Sequence, residues 1–251
     1  MARRKGTPLA KMLVFGIGAV AVVAIVLAVF LYDVPTLDVR SACPRDPGYT
    51  KVSLSIVLDA TDVYGAAQRL SIVNRVWDSV DSMDVYDRVK IYIIEPGEQI
   101  PLLNLCKPGA NLQDSPAEQQ LRELQFKRFI DDALEALQGT RPRSPIIESL
   151  GWVAADRARD GSDRRILLVS DLIEHSDVIS HYDPNWPEVY EANRTRIHNQ
   201  CPNLDAIQID ILYVARPDVT TQNNDLVTWW LEYLEACGGS VNSVTRITGT
   251  N

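Results

Sequence analysis

The sequence has no long basic run and only three histidines, and each of these features argues against one class of function. The formal net charge is −8, and it becomes −12 once the N-terminal Arg3, Arg4, Lys5 and Lys11 are set aside. Nucleic-acid binding requires clustered Lys and Arg against phosphates, so we expect no nucleic-acid partner. Three scattered histidines also argue against a dedicated histidine metal centre.

Common catalytic motifs are absent as well. The chain has neither a GxxxxGK[ST] phosphate loop nor a GxSxG nucleophile elbow. Asp59-Ala60-Thr61 with the later Asp171 is similar to the aspartyl site of haloacid-dehalogenase-like phosphohydrolases. Those enzymes carry a second Asp two residues after the nucleophile, where Thr61 stands here, and a distal Lys. We therefore expect a protein that is not an enzyme and keep this class as the enzymatic alternative.

One long apolar stretch, residues 12–32, contains no charge and is long enough to cross a hydrocarbon layer of about 30 Å. It is longer than a cleaved signal peptide's apolar region, so we interpret it as an uncleaved transmembrane anchor. The basic tail, residues 1–11, then stays in the cytoplasm. The rest lies outside, and we expect a single-pass protein of a bacterial inner membrane with a periplasmic domain.

Cysteine is scarce but even in number: Cys43, Cys106, Cys201 and Cys237. No CxxC and no Cys-His cluster of zinc-ligand spacing occurs, so two disulfides fit an oxidising compartment better than a structural zinc. Four cysteines allow three pairings, and spacing alone does not choose among them.

The order of apolar segments predicts the fold. Residues 33–50 contain three prolines and form a tether, and residues 51–251 form one domain. Apolar runs predict strands at 52–58, 88–94, 100–105, 165–170, 207–214 and 241–247, and helical spacing predicts helices at 65–83, 116–137, 144–154, 187–198 and 225–236. Alternating strands and helices predict a doubly wound, mostly parallel α/β sheet with one antiparallel edge strand and helices on both faces.

Two acids end strands of this predicted sheet, Asp59 after the first and Asp171 after the RILLVS strand. In doubly wound sheets, ligands bind beyond the carboxyl ends of the strands, where strand order reverses. If the two strands are neighbours, both carboxylates meet there with the hydroxyls of Thr61 and Ser144. Such oxygen ligands suit Mg²⁺ first, with Ca²⁺ or Mn²⁺ as alternatives.

These residues resemble the metal-ion-dependent adhesion site of von Willebrand factor type A (VWA) domains, an Asp-x-Ser-x-Ser motif, a loop Thr and a later Asp. Asp59 and Thr61 match the first half of that motif, Ser144 stands for the loop Thr, and Asp171 stands for the later Asp. Val63 replaces the second motif Ser and cannot ligate a metal. Either Asp62 or water compensates, or the site is degenerate.

The resemblance also implies a choice among disulfides. In the strand order of a VWA domain, all four cysteines lie at the sheet edge opposite the acids. Cys43–Cys106 and Cys201–Cys237 then become the favoured pairs.

Three of the proposed ligands also have explanations that need no metal. Asp59 is also suited to cap the following helix, and Ser144 before Pro145 is a good N-cap without any metal. Asp62 either joins the metal shell or raises the pKa of Asp59 by like-charge proximity.

A long polar segment follows Asp171 and contains His175, His181 and Tyr182. Segments of this length are functional or disordered more often than ordinary connections. We interpret these three residues as partner contacts, with a solvated loop as the alternative.

The function predicted is that of a membrane-anchored VWA-like module that binds a partner protein, with a divalent cation gripping an acidic group on the partner. The alternative is a metal-independent scaffold of an envelope complex whose site is vestigial.

Overall fold

The computed structural model describes residues 22–23, 35–109, 114–138, 142–156, 162–216 and 219–249. The chain divides into two compact units, Met1–Pro35 and Thr36–Asn251. Within the described residues no helix is both long and apolar enough for a membrane crossing. The predicted anchor at 12–32 lies outside the described residues, apart from Val22 and Val23, and stays a prediction.

The unit Thr36–Asn251 is built on a six-stranded sheet in the order β3-β2-β1-β4-β5-β6. All neighbours are parallel except the β2–β3 pair, which confirms the predicted antiparallel edge strand. The strands are β1 (Val52–Leu58), β2 (Arg88–Ile93), β3 (Leu103–Cys106), β4 (Asp163–Ser170), β5 (Ile207–Val214) and β6 (Ser240–Ile247). From β1 the chain builds outward to one edge, then returns to β4 and builds outward to the other. The strand order therefore reverses between β1 and β4.

Helices cover both faces of the sheet, as predicted. They are α1 (Ala66–Asp81), α2 (Pro116–Leu134), α3 (Ile146–Ala155), α4 (Trp186–His198) and α5 (Asn224–Ala236). A capping box at Ser115 begins α2, with Glu118 reaching back to the Ser115 backbone. A short 3-10 turn, Glu135–Gln138, follows α2 where the sequence predicts continued helix.

Side-chain alternation along the strands separates two cores. In β1, Leu54, Ile56 and Leu58 pack with α1 and α2, while Val57 packs with α3, α4 and α5 on the other face. β4 alternates likewise, because successive side chains of a strand point to opposite faces. A segment buried on both faces must be apolar, which explains the continuous apolar run Ile166–Val169 in the second half of β4.

Both disulfides lie at the amino edge of the sheet and match the predicted pairs. Cys43–Cys106 ties the segment before β1 to the end of the antiparallel β3, with a Cα–Cα distance of 4.8 Å. Cys201–Cys237 joins the segment before β5 to the end of α5, with a Cα–Cα distance of 5.4 Å. Neither disulfide lies at the opposite edge of the sheet, where the acids are.

Candidate functional site

The strand register places the two predicted acids side by side. Leu58 of β1 pairs with Val169 of β4, so Asp59 lies level with Ser170, and Asp171 follows one residue later. The backbone N–H of Asp59 continues the ladder by donating to the Val169 carbonyl at 2.8 Å. The site is therefore at the carboxyl edge between β1 and β4, where the strand order reverses.

Asp59 is fully buried, and its carboxylate accepts four hydrogen bonds. Oδ1 accepts from the Thr61 N–H at 3.1 Å and the Thr61 hydroxyl at 2.6 Å. Oδ2 accepts from the hydroxyls of Ser144 at 2.9 Å and Ser170 at 2.7 Å. A carboxylate has about four lone-pair positions, and all are filled here. Burial raises the pKa of Asp59, against the lowering effect of these donors.

Asp171 is the first residue of a sharp, buried turn that follows β4. Its Oδ1 accepts from the Ile173 N–H at 2.9 Å, and Leu172 takes a left-handed φ of 62°. Such a φ is strained for a branched residue and persists where its surroundings fix it. The indole of Trp230 provides one such contact by donating to the Leu172 carbonyl at 2.7 Å. Burial, with the nearby Asp59 charge, raises the pKa of Asp171 to about 7.

Arg216, two residues beyond β5, brings a positive charge to this edge. Its Nη1 lies 3.2 Å from Asp171 Oδ2 and also pairs with Asp62 Oδ2. The guanidinium thus bridges the acid after β4 to an acid in the loop after β1. Asp62, predicted either as a further ligand or as a perturbing charge, is an ion-pair partner of Arg216.

Two glutamines fix the backbone around Arg216. Gln222 accepts from the Arg216 N–H and donates to the carbonyls of Asp171 at 2.9 Å and Val214 at 2.7 Å. Gln68 of α1 donates to the Ala215 carbonyl at 2.8 Å. The fold therefore determines the position of Arg216.

Sequence reasoning missed two residues of the site, Ser170 and Arg216. Both obey the rule that identified Asp59 and Asp171, because each lies at the carboxyl end of a parallel strand. Ser170 is the last residue of β4 in the quoted RILLVS run, and Arg216 follows β5. Applying that rule to every strand and to every polar residue type would have found them.

An open pocket of about 240 Å³ lies over this edge. Its lining is polar: Thr61, Asp62, Pro142, Arg143, Ser144, His175 and Tyr182. The His175 N–H donates to the Ser144 carbonyl at 2.9 Å, which joins the loop before α3 to the loop after β4. The rings of His175 and Tyr182 are in edge-to-face contact at 5.5 Å. The side chains predicted as partner contacts at 175 and 182 thus border this pocket.

His181 is a correction to the predicted contact surface. It is fully buried, with its ring 4.6 Å from that of Trp186 and 4.8 Å from that of Trp229. Its Nδ1 accepts from the Glu174 N–H at 3.1 Å. Burial lowers the pKa of His181 to about 4, so the ring stays neutral near pH 7. The polar segment folds back onto an aromatic cluster, and sequence polarity gave no sign of this.

The predicted ligand set does not fit a divalent cation in this arrangement. Asp59 has no lone pair left, and both oxygens of Asp171 accept hydrogen bonds, one from a cationic group. Val63 is 69% exposed and offers no ligand. The described part of the chain contains no group of three or more His, Cys, Asp or Glu suited to a metal ion. Two neutral hydroxyls, Thr61 and Ser144, are poor ligands for Mg²⁺ without carboxylates.

Comparisons with known proteins give fold likeness only. The sequence matches no protein-family model and no curated protein. Among solved structures, the SpRpn10 VWA domain is similar over 80% of this chain and 89% of its own, with 11% identity and a TM-score of 0.38. Proximal thread matrix protein 1 of the mussel byssus is similar over 79% of this chain and 44% of its own, with 10% identity and a TM-score of 0.40. At these TM-scores neither likeness adds to the argument, and the architecture rests on the strand order itself.

Proposed function

We propose that this chain is a non-catalytic, VWA-like protein-interaction module that binds its partner at the carboxyl edge of the sheet. The observation that carries the proposal is the convergence of three loops on one open polar pocket, from Thr61 and Asp62, from Arg143 and Ser144, and from His175 to Tyr182. Tyr182 is 49% exposed there, and tyrosine is enriched among residues that dominate binding energy.

A partner with an acidic side chain suits this surface. The Arg143 side chain is 48% exposed and pairs at 3.0 Å with Asp177, whose side chain is 85% exposed. An exposed pair of this kind is worth little by itself, so a partner carboxylate can replace Asp177 at small cost. Arg143 then supplies the positive charge that the sequence interpretation assigned to a metal.

The geometry supports the metal-independent alternative over cation-mediated binding, because the predicted ligands already have other partners. The divalent cation stays a prediction. We propose further that residues 12–32 anchor the module in a bacterial inner membrane, with the domain in the periplasm, where two disulfides are expected to persist.

The enzymatic alternative needs Asp59 as an accessible nucleophile. Asp59 is fully buried, and its lone pairs accept hydrogen bonds from three hydroxyls and one N–H. A carboxylate in this state is shielded from substrate and weakened as a nucleophile. This supports the non-catalytic proposal.

A quantitative affinity capture tests the proposal. The full chain, Tyr182→Ala and Arg143→Gln are used as bait with and without chelator, and captured proteins are quantified by mass spectrometry. Phe129→Ala on α2 is the matched control, since Phe129 is also a half-exposed aromatic but lies outside these loops. We expect one set of proteins to be lost from both site variants, retained by the control and insensitive to chelator.

Two results contradict the proposal. Equal capture by all variants places binding elsewhere on the chain. Loss of capture with chelator, in the wild type, restores the cation-mediated mode and refutes the metal-independent one.

A further inference from the structure

Three carboxylates, Asp59, Asp62 and Asp171, converge on the candidate site and need a compensating positive charge. Asp59 is fully buried and Asp171 is 2% exposed. Buried carboxylates without a counter-charge are strongly unfavourable, so proteins pair them, protonate them or let them bind a metal. A cation in contact with these acids favours their ionised forms.

We infer that Arg216 is the built-in cation of this site and takes the place of a divalent ion. Its guanidinium contacts Asp62 and Asp171 together, with Nη1 3.2 Å from Asp171 Oδ2. Both contacts are made by one nitrogen, Nη1, whose two N–H groups can each face one carboxylate. The inference rests on the site of the proposed function but on no property of the partner.

The burial of this ion pair distinguishes it from ordinary surface pairs. The Arg216 and Asp171 side chains are 18% and 3% exposed. By comparison, the side chains of the Lys51–Asp84 pair are 74% and 69% exposed. Surface pairs contribute little to stability, whereas removing one member of a buried pair leaves an uncompensated charge.

The backbone of Arg216 is also held by hydrogen bonds that do not involve the Arg216 side chain. Gln222 bridges the Arg216 N–H to the Asp171 carbonyl, and Gln68 holds the Ala215 carbonyl from α1. The guanidinium therefore approaches the acids from a backbone that neighbouring elements fix.

The same arrangement excludes a second cation. A divalent ion at this edge needs Asp171 Oδ2, which already lies against a guanidinium. Asp59 cannot serve instead, because its four acceptor positions are filled. Val63, where the resemblance requires a hydroxyl, offers no replacement. Val63 and Arg216 thus both disfavour a divalent ion at this edge.

Thermal unfolding of the full chain in mild detergent tests the inference, with tryptophan fluorescence as readout and millimolar Mg²⁺ or Mn²⁺ compared with chelator. We expect the wild-type Tm to be the same in all three solutions. Arg216→Gln should lower the Tm by roughly 5 to 10 °C in chelator. Mn²⁺ should recover part of that loss, because the vacated position is lined by Asp62 and Asp171. Arg143→Gln, which removes an exposed arginine at the same edge, should show neither effect.

Three results overturn the inference. The first is a wild-type Tm that Mg²⁺ raises, with the rise abolished in Asp171→Asn. The second is an Arg216→Gln variant as stable as the wild type. The third is a destabilised Arg216→Gln that Mn²⁺ does not rescue, which makes Arg216 an ordinary ion-pair partner. If Arg216→Gln does not fold, Arg216→Lys replaces it. Since an ammonium keeps a positive charge beside Asp62 and Asp171, we then expect a folded variant whose Tm is the same with Mn²⁺ as with chelator, and a lysine variant that Mn²⁺ stabilises overturns the inference.

Discussion

Glu174 offers the most quantitative prediction, because it is a fully buried glutamate with a simple role. It lies after β4, and its Oε2 accepts from the Ile147 N–H at 3.0 Å, in the first turn of α3. The residue before α3 is Pro145, which provides no side-chain cap. Glu174 thus caps α3 from a distant part of the sequence. Burial raises its pKa to about 8, against the lowering effect of the Ser176 hydroxyl and the α3 N–H groups.

The sign of the pH effect follows from this raised pKa. Between the ordinary value of 4.5 and about 8, the folded protein holds a proton on Glu174 that the unfolded chain has released. The fold therefore loses stability as pH rises through this range. With one pKa unit equal to 1.36 kcal/mol, the loss from Glu174 between pH 6.5 and pH 8 is about 2 kcal/mol.

Glu174→Gln isolates this contribution. Glutamine keeps an oxygen that accepts from Ile147 but cannot ionise. The difference in unfolding free energy between variant and wild type should shift by about 2 kcal/mol in favour of the variant from pH 6.5 to pH 8. All other titrating groups cancel in this difference. Glu148→Gln, an exposed glutamate in the first turn of the same helix, is the matched control and should show no such shift.

Urea denaturation of the full chain at both pH values, followed by tryptophan fluorescence, supplies the measurement. Parallel pH profiles for Glu174→Gln and wild type would mean that Glu174 is ionised in the fold. In that case the reasoning from burial is refuted.

Two further predictions concern the site and the disulfides. Ser170→Ala removes a buried hydroxyl donor from Asp59 and should lower the unfolding free energy by about 2 kcal/mol. Ser79→Ala, at a partly exposed serine whose hydroxyl donates to the Arg75 carbonyl of its own helix, should change it by far less in the same urea titration, and equal effects would argue against the Asp59 contact. Replacing Cys201 and Cys237 by serine opens a crosslink of sequence separation 36 and should lower the unfolding free energy by about 4 kcal/mol. Denaturation curves of oxidised wild type and the double variant measure this, and coincident curves would contradict it.

Much of the architecture was predictable from local patterns. The apolar runs of β1, β4 and β5 identify buried parallel strands, and proline and serine at 115–116 begin α2 where the capping box predicts. These features depend on side chains a few residues apart, whose spacing is visible in the sequence.

The candidate site was predictable in part. Asp59 and Asp171 were identified because each follows a buried strand, and the structure places their strands next to each other. Arg216 was missed because the carboxyl-end rule was applied only to oxygen ligands, although Arg216 follows β5. Its contact with Asp171 depends in addition on β5 lying beside β4. His181 was predicted as a partner contact because polar segments are expected at the surface. Its burial against Trp186 and Trp229 arises from contacts across the fold.

The sequence by itself determined that Asp59, Asp62 and Asp171 would each follow the carboxyl end of a strand, since strand ends and their following residues are local properties. The strand order, with β1 beside β4, brings them together. Only the tertiary structure decided which cation would meet them. Arg216 reaches Asp171 across 45 residues of sequence and Asp62 across 154. These contacts form because β1, β4 and β5 lie side by side, so their physical cause is the order and register of the strands and not any motif in the chain.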